Sequence, residues 1–144
     1  MPTADHIARE VLLPVAPEDA WDALVRPEEL AEWLADEVDA DGPLDEGDEM
    51  VLRWNEGDVR RAVVEDADEP RRLAFRWSAE DDDESTLVEL TLEEIPGGTL
   101  LRVVESGFAS LSVEARTLRV QSAVGWGPRM QACSAHASML ANVA

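Results

Sequence analysis

Five short stretches of alternating apolar and polar residues, followed by one long helical pattern, constrain the fold of this chain most strongly. Turn-forming residues such as Pro96-Gly97-Gly98 separate the stretches, and connections this short join antiparallel neighbours. The pattern therefore predicts an antiparallel meander with a helix packed on one face. The five predicted strands lie near Met50–Trp54, Val59–Val64, Arg72–Trp77, Thr86–Leu92 and Thr99–Ser106.

The alternation also predicts which side chains of each strand lie under the helix, because successive residues point to opposite faces of a sheet. The predicted covered rows are Met50, Leu52 and Trp54; Leu73, Phe75 and Trp77; Val88, Leu90 and Leu92; and Leu101, Val103 and Glu105. The covering helix is the C-terminal segment, in which apolar residues recur at helical spacing. This stripe consists of Trp126, Met130, Cys133, Ala137 and Leu140.

Two details of the helical region follow from Pro128, because a proline inside a helix removes a hydrogen bond and crowds the preceding turn. We expect the main helix to begin at Gly127-Pro128. Val113–Val124 then forms a separate helical piece.

The front of the chain predicts one strand and two short helices. His6–Leu13 alternates as a strand, and Pro17 and Pro27 are each followed by acidic residues, which is typical of helix starts. Trp21 and Trp33 lie on the apolar stripes of these helices, where we expect them to pack against the sheet.

Together these elements predict one α+β domain over residues 1–144, a helix-grip fold. A curved antiparallel sheet of about six strands holds a long C-terminal helix, with two short helices after the first strand. Because sheets twist while a helix is straight, we expect a cavity between them.

Charge and composition exclude several classes of function. The net charge is −20 and all 12 basic residues are arginine, so the chain lacks the cationic surface that nucleic acids require. No apolar run reaches membrane-spanning length, and the N-terminus lacks a signal-peptide pattern. With Cys133 as its one cysteine, the sequence predicts a cytoplasmic protein without membrane insertion.

Residues 36–48 are acidic and contain Gly42-Pro43 and Gly47, which predicts a loop. Glu37, Asp39 and Asp41 approach the spacing of a calcium-binding loop, but the first and last ligands differ from that pattern. A solvated acidic loop is the preferred interpretation, and no metal or cofactor is predicted.

Several short motifs, taken in order, resemble the SRPBCC superfamily, which has the START-like or birch-pollen-allergen fold. They are Pro14–Leu24, Glu32-Trp33, Val104-Glu105-Ser106-Gly107-Phe108, Gly125-Trp126 and Met139-Leu140. Within it the chain is most similar to the activator-of-heat-shock-protein-ATPase-like branch. The resemblance implies a helix-grip domain with a deep hydrophobic cavity, in a superfamily of lipid carriers, polyketide cyclases and co-chaperone domains.

Three polar residues are candidates for the cavity. Glu105 lies on a covered row, where a carboxylate must pair, hydrogen-bond or take up a proton. The alternatives are that strand twist carries it to the rim, or that it caps the backbone at the Ser106-Gly107 bend. His136 lies at the edge of the helical stripe and could pair with Glu105, or could be a surface or core residue. Cys133 lies three residues before His136, but two ligands do not form a zinc site.

Large apolar side chains complete the candidate site, although each could equally be ordinary core. The predicted ligand-binding residues are Trp54, Phe75, Trp77, Glu105, Phe108, Trp126, Met130, Cys133 and His136. This set predicts a module that binds a hydrophobic or aromatic small molecule. A cyclase-, aromatase- or hydrolase-like enzyme and a co-chaperone-like interaction module are the alternatives. No residue is assigned as catalytic, and a homodimer remains open.

Overall fold

A computed structural model describes residues 6–79, 84–112 and 125–143 of the chain. Its antiparallel sheet has the strand order β1-β7-β6-β5-β4-β3-β2. The strands are β1 (His6–Leu13), β2 (Glu37–Asp39), β3 (Glu49–Arg53), β4 (Val59–Asp68), β5 (Arg72–Ala79), β6 (Ser85–Ile95) and β7 (Gly98–Ser106). The helices are α1 (Pro17–Val25), α2 (Pro27–Trp33) and α3 (Trp126–Val143), and Phe108–Ser110 forms a 3-10 turn. The predicted α+β helix-grip architecture is confirmed.

The sheet has seven strands, one more than predicted. The additional strand, β2, lies within the segment that the sequence predicts to be a loop, and its Val38 pairs with Leu52 of β3. Three residues with one apolar member cannot produce a recognisable alternation. Only the pairing with β3 identifies β2 as a strand.

Helix α3 begins at Trp126, one residue before the predicted start. Pro128 is therefore its third residue, and the first four N–H groups of a helix have no partner within it. The missing N–H of Pro128 costs no hydrogen bond at that position, so the helix tolerates it. The predicted helical piece Val113–Val124 lies outside the described residues.

The core lies between the sheet and the helices. The apolar members of the covered rows are buried as predicted, apart from Trp54, which is partly exposed. Glu105, the one polar member of these rows, is also buried. Trp126, Met130, Cys133 and Ala137 of α3 are also buried, whereas the side chain of Leu140 lies outside the described part. Trp21 and Trp33 are buried as well.

The chain anchors α3 on the β1 edge of the sheet through polar contacts. The Ser134 hydroxyl donates to the carbonyl oxygen of Leu12 at 2.9 Å.

At the end of β1, a Cβ on Gly98 would lie 2.2 Å from the Leu13 carbonyl oxygen. Only glycine allows this approach of β7 to β1, which fixes the sheet edge that carries the helix.

Candidate functional site

A buried carboxylate lies at the centre of the candidate site. Glu105 is 1% exposed and lies on β7, opposite Val88 of β6. Its Oε2 accepts hydrogen bonds from the Trp77 indole N–H at 3.0 Å and from the Thr86 hydroxyl. Its Oε1 accepts from the Trp126 indole N–H at 2.9 Å. One side chain therefore ties strands β5, β6 and β7 to helix α3.

The three donors explain how Glu105 is accommodated in the core. A buried charge is costly unless it is hydrogen-bonded, and bonds to a charged acceptor are roughly twice as strong as neutral ones. The expectation that Glu105 lies under the helix is confirmed, and the alternative placement at the rim is wrong. Because both of its oxygens already accept bonds, this carboxylate is held as a structural acceptor.

Aromatic rings from three elements surround the carboxylate. The rings of Trp77 and Trp126 stack with centroids 5.6 Å apart and an interplanar angle of 23°. Phe75 and Trp54 meet Trp77 edge-on at 5.4 Å and 6.2 Å. These geometries are favourable for aromatic pairs. Much of the predicted cavity wall consequently packs ring against ring, and Phe108 is also fully buried.

Two arginines lie against this cluster. The Arg60 guanidinium lies 4.3 Å from the Trp77 ring centroid and 5.5 Å from that of Trp54. The Arg129 guanidinium lies 5.5 Å from the ring centroids of both Trp54 and Trp126. Such distances allow cation–π attraction. Burial lowers the pKa of Arg129, and the nearby Glu105 carboxylate partly opposes that shift.

A cleft of about 350 Å³ opens beside Trp54. It lies where the start of α3, the end of α2 and the β3–β4 hairpin meet. The Trp54 indole N–H donates to the Leu34 carbonyl oxygen at 3.2 Å, which fixes the ring at the cleft wall. The cleft is lined by Ala31, Glu32, Trp33, Leu34, Ala35, Asp36, Trp54, Glu56, Asp58, Gly125, Pro128 and Arg129.

His136 does not pair with Glu105, which was one of the possibilities that the sequence left open. Its Nε2 contacts the Glu29 carboxylate of α2 instead, and both side chains are mostly buried. The reason is that α2 packs directly on α3, while three other donors surround Glu105. His136 therefore joins two helices away from the carboxylate.

Cys133 is fully buried on the inner face of α3. Burial raises the pKa of its thiol to about 12, so it is protonated at neutral pH and packs as a small apolar side chain. Within residues 6–79, 84–112 and 125–143, no three His, Cys, Asp or Glu side chains group as metal ligands. Glu37 and Asp39 of the acidic segment lie exposed on β2.

Three residues of the site, Arg60, Thr86 and Arg129, were not among those predicted from the sequence. Arg60 lies two residues before Ala62 on β4, and Thr86 lies two residues before Val88 on β6, so each faces inward with its apolar neighbour. The two-residue alternation of a strand therefore could have identified both. Arg129 follows Trp126 by three residues, which places the two on neighbouring positions of one helix face.

The sequence profile of the family described as "Activator of Hsp90 ATPase homolog 1-like protein" matches residues 14–131. The chain belongs to this family. The match runs from the end of β1 into α3 and so includes Glu105, its three donors and both arginines of the site. No curated protein sequence matches the chain significantly.

Solved structures share the fold. A Mesorhizobium loti protein has a TM-score of 0.79 at 23% identity, over 93% of this chain and 97% of that one. A Rhodobacter sphaeroides protein has a TM-score of 0.73 at 26% identity, over 99% and 95%. DynU16, from the dynemicin biosynthetic locus, has a TM-score of 0.76 at 22% identity over 93% of this chain. This chain spans 47% of the length of DynU16.

None of the helices in the described part is long and apolar enough to cross a lipid bilayer.

Proposed function

We propose that this protein is a cytoplasmic, single-domain binding module for a flat, mainly apolar small molecule. The observation that carries the proposal is the cleft at Trp54. There the aromatic cluster beneath α3 reaches the protein surface, beside a space of about 350 Å³, which lies within the range of small-molecule sites. Membership of the family and its resemblance to SRPBCC ligand carriers agree with this role.

The rings beneath the cleft supply a mechanism for binding. Trp54 is only partly buried, and its contacts with Trp77 continue into the stacked pair of Trp77 and Trp126. A flat ligand that covers the exposed part of Trp54 stacks on that ring, at the outer end of the aromatic cluster. Removal of apolar surface from water contributes roughly 25 cal/mol per Å² to such binding.

The two acid–base candidates predicted from the sequence, Glu105 and His136, do not line the cleft. A catalytic acid or base needs a titratable group within reach of the reacting atom. Glu105 is enclosed by three donors, and His136 is engaged with Glu29. Glu105 and His136, the two candidates for an acid or base, are therefore both engaged in structural contacts.

A role in protein–protein interaction has weaker support. In the described part, the exposed large hydrophobic residues are Leu12, Val63 and Met139. They lie on β1, β4 and α3, so they belong to three separate elements and form no row along one of them.

Native mass spectrometry of protein purified from its own host tests the proposal, and we expect a co-purified compound of low mass. Titration with flat apolar compounds, followed by tryptophan fluorescence, provides a second readout. We expect Trp54→Leu to weaken such binding at least tenfold. The control is Trp21→Phe, because Trp21 lines a different cleft of about 370 Å³. Equal loss of binding in both variants, or no binding by the wild-type protein, would contradict the proposal.

A further inference from the structure

The cleft at Trp54 contains a buried hydrogen-bond donor that lacks an acceptor. Nη1 of Arg129 is buried and has no hydrogen-bond partner among the described residues. Buried polar groups in folded proteins are nearly always paired, and a buried donor left unpaired has a free-energy cost that is larger when the donor is charged. The protein retains this cost at a residue that lines the cleft.

Glu105 does not satisfy this donor, although it is the nearby buried carboxylate. Its negative charge stabilises the Arg129 cation through space, but its oxygens accept from Trp77, Thr86 and Trp126. The guanidinium is held against the rings of Trp54 and Trp126, and its Nη1 has no acceptor among the described residues. An acceptor supplied by a ligand removes the penalty.

The charges around the cleft select the kind of acceptor. Glu32, Asp36, Glu56 and Asp58 line it together with Arg129, and the whole chain has a net charge of −20. These carboxylates repel an anionic ligand, while Arg129 opposes a cation that approaches its guanidinium. A neutral acceptor such as a carbonyl oxygen satisfies Arg129 without either repulsion.

We infer that the ligand of this cleft is a neutral flat molecule with a carbonyl-type acceptor, which stacks on Trp54 and accepts a hydrogen bond from Arg129. This inference rests on the proposed function and adds the polar group that specifies the ligand. The stacking surface provides general affinity for flat apolar compounds. Arg129 favours flat compounds that carry the acceptor, because a compound without it leaves the buried donor of Arg129 unpaired.

Four naphthalene derivatives of similar size test the inference by isothermal titration calorimetry. They are ethylnaphthalene, acetylnaphthalene, naphthoate and naphthylmethylammonium. We expect acetylnaphthalene to bind roughly tenfold more tightly than ethylnaphthalene, since a hydrogen bond to a charged donor is worth about that factor or more. We expect naphthoate and the ammonium compound to bind no more tightly than acetylnaphthalene.

Variants separate this inference from the proposed function. Arg129→Met keeps the apolar stem and removes the donor, so we expect it to abolish the preference for acetylnaphthalene over ethylnaphthalene. Arg102 lies on the exposed outer face of β7, so Arg102→Met is the control. It should leave the affinities for acetylnaphthalene and ethylnaphthalene unchanged. Circular dichroism verifies that each variant is folded, and Arg129→Leu, which also lacks a donor, replaces Arg129→Met if the latter is not.

The outcomes are distinct. Equal affinity of wild-type protein for acetyl- and ethylnaphthalene overturns the role of Arg129 but leaves the binding module intact. Tightest binding by naphthoate or by the ammonium compound overturns the neutral acceptor. An unchanged preference in Arg129→Met overturns the assignment of the donor. Failure of all four compounds to bind overturns both this inference and the proposed function.

Discussion

The hydrogen bonds of Glu105 predict a large loss of stability for a very small chemical change. Glu105→Gln preserves the shape of the side chain but leaves one acceptor oxygen where two now serve three donors. Its new NH2 group must face at least one of the donors Trp77, Thr86 and Trp126. The folded state therefore loses at least one bond to a charged acceptor, and the bonds that remain become neutral.

The magnitude follows from those losses. A hydrogen bond to a charged group contributes about 1.5–3 kcal/mol and a neutral one about 1 kcal/mol, and a buried donor left without an acceptor costs about 1–3 kcal/mol more. We expect Glu105→Gln to lower the free energy of unfolding by about 3–5 kcal/mol. For a chain of 144 residues, this corresponds to a decrease in Tm of roughly 10 °C.

Urea unfolding followed by tryptophan fluorescence measures this change directly, because the midpoint moves while the slope m stays constant. The matched control is Glu94→Gln, since Glu94 is exposed on β6; a surface change of this kind stays within about 0.5 kcal/mol. Trp126→Phe removes one donor and keeps a ring. We expect its double-mutant cycle with Glu105→Gln to give a coupling of about 1.5 kcal/mol.

Two results would refute this reasoning. The first is a Glu105→Gln protein whose stability lies within 0.5 kcal/mol of the wild type, about the effect expected of the control. The second is a cycle without measurable coupling, which would mean that the indole of Trp126 and the carboxylate of Glu105 contribute independently.

Two further predictions concern backbone packing and the buried thiol. Gly98→Ala places a methyl group 2.2 Å from the Leu13 carbonyl oxygen, so we expect a loss of at least about 2 kcal/mol in urea unfolding; Gly42→Ala, with open space around it, should change little. Cys133 should resist alkylation by iodoacetamide in the folded protein and react fully in urea, because burial raises its pKa to about 12; rapid native labelling would contradict this. Since the folded pKa is raised, the same thiol stabilises the fold below its unfolded pKa near 9, and this contribution is lost as pH rises toward 12.

Local patterns predicted most of the fold. Alternation along β5, β6 and β7 identified the buried rows, because the two-residue period of a strand depends only on neighbouring residues. The same period put Glu105 on a covered row, but the sequence also allowed a position at the rim, and only the structure shows that it is buried. Strand β2 escaped prediction because Val38 is its one apolar residue, and its pairing with β3 is a contact between distant parts of the chain.

The sequence by itself determined the family and the order of the helices and of every described strand except β2, since these depend on spacing along the chain. Only the tertiary structure decided which groups meet. The position of α3 over the sheet brings Trp126 to Glu105 and Arg129 to the cleft, and it turns His136 toward Glu29. Such contacts depend on strand register and helix placement, and no local periodicity contains that information.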